Sequence, residues 1–228
     1  MQRILVDVDT QYDFVDANGA LYVEADASVR ATIEAELAAA EAAGDPIIGS
    51  VDSHAYDAWE FTPNGGPFPR HCVKGTPGWL RVFPQRPARS RFIPMQVVTT
   101  GVQNLVGESE QGAGTRVLDA AALAKEARAG IGLFFEKEVY SLFSNPAAEP
   151  VIARLVEDLG GPSKVRFDVL GYCTGGYCVD AAAKGLVERG YQVRVIAAAT
   201  AAIGGDAGQA SSAVALRAAG VEWSVDAP

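Results

Sequence analysis

Short apolar runs alternate with longer alanine-rich stretches along most of the chain. Residues 4–8 (ILVDV) form the first run and end at Asp9; residues 46–51 (PIIGSV) form the second and end at Asp52. Runs this short, mostly apolar and closed by a polar residue, predict buried strands of a parallel sheet. Between them, Ser28 is the expected N-cap of an alanine- and glutamate-rich helix that stops at Gly44. The alternation returns later in the chain. It predicts helices over 117–129, 147–159, 177–189 and 207–219, the last three each closed by glycine. It predicts strands over 131–135 (IGLFF), 167–170, 192–198 and 221–225. The sum is an α/β fold: a mainly parallel sheet of about six strands with helices on both faces.

Residues 53–115 break this pattern. They hold most of the prolines, several aromatics and little periodicity. The expectation is a long functional loop, with an insertion or small subdomain at about 80–115 and a short extra strand at Val97 and Val98. The 228 residues otherwise suit one domain spanning the chain.

In open parallel sheets, ligands sit beyond the carboxyl ends of the strands. Asp9, Asp52, Lys137 and the turn 171–178 (GYCTGGYC) each follow an apolar run. They should gather on one edge.

Charge and cysteine content narrow the class. The formal net charge is −9, and no Lys/Arg cluster offers a basic face for nucleic acid. No stretch approaches a membrane span or a signal peptide, so a cytoplasmic location without membrane partners is expected. Three cysteines, Cys72, Cys173 and Cys178, do not make a disulfide framework.

Two constellations carry chemistry. Asp52 and His54 lie two apart, on one side of an extended segment, and His71 follows; these are the only histidines. Two imidazoles and a carboxylate suit zinc, manganese or iron, but the spacing alone equally fits unrelated loop residues. Cys178 stands where a strand passes into a helix through two glycines. The helix N-terminus favours a thiolate there, and its free N–H groups can hold an oxyanion. A buried structural cysteine is the plainer alternative. A nucleophilic cysteine needs a base. Asp9 could serve, oriented and kept ionised by Lys137, although a strand-end cap and a solvated lysine would look the same.

The residues resemble the isochorismatase-like cysteine hydrolases. The opening VDVDTQYDF (6–14) and NGAL (18–21) match that family's start. Asp52-Ser53-His54 and PRHCVKGTPG (69–78) resemble the metal segment of nicotinamidases, and Lys137 and Tyr177-Cys178-Val179 match the family's lysine and cysteine. Residues 80–130 lie outside the resemblance. It implies a Rossmann-like three-layer fold and a catalytic trio of Asp9, Lys137 and Cys178. It further implies a divalent metal on Asp52, His54 and His71 that orients the substrate. Pocket aromatics would be Phe14, Trp59 and Tyr177, and related proteins are often homo-oligomers. The implied reaction hydrolyses a small aromatic amide to acid and ammonia through a thioester. Another small amide or ureido substrate, or a silent binding protein on the same fold, are the alternatives.

The turn before Cys178 is one residue longer than the family pattern. That puts in question the oxyanion donor and the cis peptide, expected at Tyr172-Cys173. Cys173 is a rival nucleophile, but its place before the helix start weighs against it.

Overall fold

The computed structural model describes residues 1–95 and 119–225. Seven parallel strands form one sheet: β1 (Gln2–Val8), β2 (Ile47–Asp52), β3 (Arg89–Ile93), β4 (Ile131–Lys137), β5 (Val165–Thr174), β6 (Gln192–Ala202) and β7 (Glu222–Ser224). Their order is β3-β4-β2-β1-β5-β6-β7. The chain builds outward from β1 on one side, then returns to add β5 on the other, so the topological switch lies at β1 and β5.

Alternation along β1 explains the layers. Ile4, Val6 and Val8 face one core with α3 (Ala120–Arg128), α4 (Ala148–Asp158), α5 (Cys178–Glu188) and α6 (Gly205–Ala218). Leu5 faces the other core with Ile33, Leu37 and Ala40 of α2 (Ala27–Ala43). A one-turn helix, α1 (Tyr12–Val15), follows β1. Among the described residues, no helix is long and apolar enough to cross a membrane.

Three details differ from the sequence pattern. The N-cap of α2 is Asp26, whose carboxylate accepts from the Ser28 N–H, so Ser28 is already inside the helix. The seventh strand, β3, was hidden because Arg89, Ser90 and Arg91 are exposed on a sheet edge, where charge blunts further pairing. It lies within the region expected as a separate insertion, yet its described part pairs with β4. The strand expected at Val97 and Val98 falls outside the described residues. The later strands also run further: β4 reaches Lys137 and β5 reaches Thr174.

Candidate active site

Strand register brings the first group together. Asp52 and Lys137 are direct neighbours across β2 and β4, and Val8 pairs with Ser50 on one side and Gly171 on the other. Asp9 leaves β1 in the left-handed region (φ 48°), a conformation that is uncommon outside glycine and tolerated by Asp. Cys178 opens α5 just beyond β5.

Lys137 is the hub. Its ammonium stands 2.8 Å from Asp9 Oδ2, 3.0 Å from Asp52 Oδ1 and 3.4 Å from Cys178 Sγ, and it is fully buried. Asp9 Oδ1 accepts from the Ser50 hydroxyl at 2.8 Å. Burial alone would strip the charge from Lys137, but Asp52 and Asp9 outweigh it and its pKa rises. The Asp9 pKa also rises, through burial and the Asp52 charge, against the pull of Lys137.

Cys178 corrects one expectation. Burial raises its thiol pKa well above the usual range, Lys137 opposes this, and the two carboxylates add to it. Burial and the two carboxylates therefore favour the thiol over the thiolate here.

A second group forms a corner beside the first. Asp52 Oδ2 lies 3.0 Å from His54 Nε2 and 3.4 Å from His71 Nε2. Glu60 Oε1 lies 3.0 and 3.2 Å from the same two nitrogens. Ligand atoms of all four residues fall within 4.8 Å of one another, and all four side chains are buried. His71 Nδ1 lies 2.8 Å from the Pro69 carbonyl, which fixes that nitrogen as the donor and leaves Nε2 free to ligate. Two imidazoles and two carboxylates converging on one point fit a divalent ion such as zinc, manganese or iron. Without an ion, protons take its place. Burial opposes charge on both histidines, yet hydrogen bonds to Asp52 and Glu60 raise each pKa to about 9. Burial likewise opposes ionisation of Glu60, but the histidines hold its pKa at about 2.

The loop that carries this corner has no ladder of its own, only the isolated bridges His54–Val73 and Phe61–Phe68. Side chains near β1 hold it instead. The Gln11 amide spans Asp52 and the Trp79 carbonyl. Asp13 Oδ2 accepts from the Cys72 N–H at 2.7 Å, and Cys72 itself is left-handed at φ 46°. Gly78 packs so closely on the Asp13 carboxylate that a Cβ there would overlap it.

Glu60 is the ligand-type residue that sequence reasoning missed. Asp57 and Glu60 both lie between the two histidines, and nothing in their spacing chooses between them. Folding does: Glu60 is buried and Asp57 exposed. Of the expected pocket aromatics, Phe14 packs at a tilt against His71, with ring centroids 5.5 Å apart. Tyr177 is half-buried, edge-on to Tyr140 at 5.3 Å. Trp59 turns outward as Glu60 turns in, and is 67% exposed. Phe68, not singled out from the sequence, packs 5.9 Å from His71. The Tyr172-Cys173 peptide is cis. Cys173 is buried, which raises its pKa; its side chain packs in the α2-side core, whereas Cys178 packs in the other.

No protein-family model matches the sequence, and no curated protein matches it either. Solved structures do. The pyrazinamidase of Pyrococcus horikoshii, determined in complex with zinc, is 21% identical with a TM-score of 0.64; the match covers 98% of this chain and 99% of that one. The nicotinamidase/pyrazinamidase from Bacillus subtilis is 21% identical with a TM-score of 0.66, covering 98% and 100%. The N-carbamoylsarcosine amidase from Thermoplasma acidophilum is 21% identical with a TM-score of 0.56, covering 98% and 95%. Over nearly its whole length, the chain has the α/β fold of these three amide-cleaving enzymes.

Proposed function

We propose that the protein is a metal-containing cysteine amidohydrolase that converts a small aromatic amide, of the nicotinamide type, into its acid and ammonia. The observation that carries the proposal is the contact of one buried lysine with Asp9, Asp52 and Cys178 at once. A lysine bound for solvent has no reason to sit at 0% exposure between two carboxylates and a thiol.

The chemistry follows from the protonation states. Cys178 rests as a thiol beside Asp9, whose raised pKa suits a base that must also return a proton. Attack forms the Sγ–carbon bond as the thiol proton passes to Asp9. The Lys137 ammonium stabilises the sulfur as charge develops on it. Backbone N–H groups at the start of α5 face the developing oxyanion. Asp9 then protonates the departing nitrogen, the carbon–nitrogen bond breaks, and ammonia leaves a thioester on Cys178. A water activated by Asp9 hydrolyses the thioester and restores the thiol.

Asp52, His54, Glu60 and His71 would hold the metal. When bound, it supplies a Lewis-acid contact that orients a heteroatom of the substrate. Phe14 and Phe68 flank that corner, and Tyr177 adjoins the nucleophile, which suits a flat aromatic ring. Asp52 belongs to both groups, one oxygen on Lys137 and the other on the histidines, so binding and chemistry share a carboxylate.

Ammonia release from nicotinamide by the metal-loaded protein, with Cys178→Ala as the blank, tests the proposal. Release that depends on Cys178 is the expected result. Release from a ureido compound but not from any aromatic amide would move the substrate class. No release from either would overturn the proposal.

A further inference from the structure

The turn that delivers Cys178 is held from α6, a helix that contributes nothing to the trio or to the metal corner. Gly175 and Gly176 both have φ of 95°, so the chain passes twice through a region that residues with a Cβ rarely adopt. A Cβ on Gly175 would also stand 2.6 Å from the Ile203 carbonyl oxygen. Two successive glycines hold no conformation by themselves. Here a buried hydroxyl on Gly175 and a buried carboxylate on Gly176 hold them. Ser212 Oγ accepts from the Gly175 N–H at 2.7 Å and donates its single proton to Asp180 Oδ1 at 2.6 Å. Ser212 is 1% exposed and Asp180 2%. Asp180 lies in the first turn of α5, so this hydroxyl ties the backbone before Cys178 to the helix after it.

Neither group has another evident task. Asp180 is a carboxylate in an almost dry position, where burial raises its pKa against the Ser212 hydroxyl, the Gly176 N–H and Lys184. A serine and an aspartate buried together cost stability unless each satisfies the other. Their shared product is a fixed turn. The Gly175 N–H is engaged by Ser212 and is therefore unavailable to a substrate.

We propose that Ser212 and Asp180 are positioning residues for the oxyanion site, holding the Gly175–Gly176 turn so that the Cys178 backbone N–H meets the substrate's carbonyl oxygen. This rests on the amidohydrolase reading above. In the step they serve, Sγ bonds to the carbonyl carbon, the carbonyl π pair moves onto oxygen, and the thiol proton goes to Asp9. The pair then returns and the leaving group departs. Without the hydroxyl, the Gly175 N–H is unpaired, the turn loses its tie to α6, and the donor can shift away from the substrate oxygen.

Two reactions of Cys178 separate this role from a merely structural one. Acylation by p-nitrophenyl acetate passes through an oxyanion, and alkylation by iodoacetamide does not. Both are read on the Cys178 peptide by mass spectrometry, acylation also as the burst of p-nitrophenolate. Ser212→Ala is expected to slow acylation by about 10²-fold, the scale of losing one oxyanion donor. Alkylation should change by less than about threefold, and Ser212→Thr should restore acylation. Should Ser212→Ala fail to fold, Asp180→Asn carries the test, with acylation falling and alkylation unchanged. Equal acylation in wild type and variants overturns the inference alone, as do equal losses of acylation and alkylation. A wild-type protein that is alkylated at Cys178 but never acylated overturns the amidohydrolase reading and the inference together.

Discussion

Asp9, Asp52 and Lys137 stand at the ends of parallel strands, whereas His54, Glu60 and His71 hang on a proline-rich loop. The difference lies in what fixes each position. For the strand-borne groups it is register: Asp52 opposes Lys137 across β2 and β4 because the ladders leave no other pairing for two strands buried on both faces. For the loop-borne groups it is a few side-chain hydrogen bonds from Gln11 and Asp13 to backbone that has almost no ladder. The first half should therefore respond to mutation as an electrostatic unit bound into the core, and the second as a detachable corner.

The largest effect should come from the hub. Lys137→Met removes the cation that bridges Asp9 and Asp52, two buried carboxylates, and should cost about 3–5 kcal/mol of stability. Urea denaturation reads it; a loss under about 1 kcal/mol would mean that the trio is not one electrostatic unit.

The corner should be separable. Glu60→Gln keeps the shape but removes a charged ligand, and should weaken metal affinity roughly 10- to 100-fold. Competition against a chelator measures it, while the alkylation rate of Cys178 should stay within about threefold. Unchanged metal affinity would remove Glu60 from the ligand set. A large fall in Cys178 reactivity would show that the two halves are not separable.

The smallest effect is in pH. In metal-free protein, His54 and His71 have pKa values of about 9, raised above the ordinary 6.5. Their contribution to stability is thus full below pH 6.5 and lost as pH rises through 9. Glu60, depressed to about 2, contributes above pH 4.5 and loses that only as pH falls through 2. A metal needs neutral imidazoles, so loading should flatten the alkaline limb. Thermal midpoints between pH 6 and 10, with and without metal, check this. Identical limbs would argue that these histidines do not bind the ion.

The same contrast explains what was legible in the sequence. Six strands announced themselves as apolar runs, and their polar closing residues marked Asp9, Asp52 and Lys137 before any contact was known. The edge strand β3 did not, because its outward arginines read as loop. In the corner, His54 and His71 were visible as the only histidines. Glu60 was not, since its inward turn depends on a loop path that no periodicity encodes. Trp59, its neighbour, was expected in the pocket and instead faces solvent for the same reason. The state of Cys178 was also hidden. A helix N-terminus can be read from glycines and spacing, but the burial and paired carboxylates that keep the thiol protonated arise only on folding.

The most direct test is the covalent one. Metal-loaded protein is mixed with nicotinamide, quenched in acid during turnover, and digested for mass spectrometry. A nicotinoyl adduct on the Cys178 peptide, absent from Cys178→Ala, is the predicted result. Ammonia release with no adduct on Cys178, or with the adduct on Cys173, would contradict it.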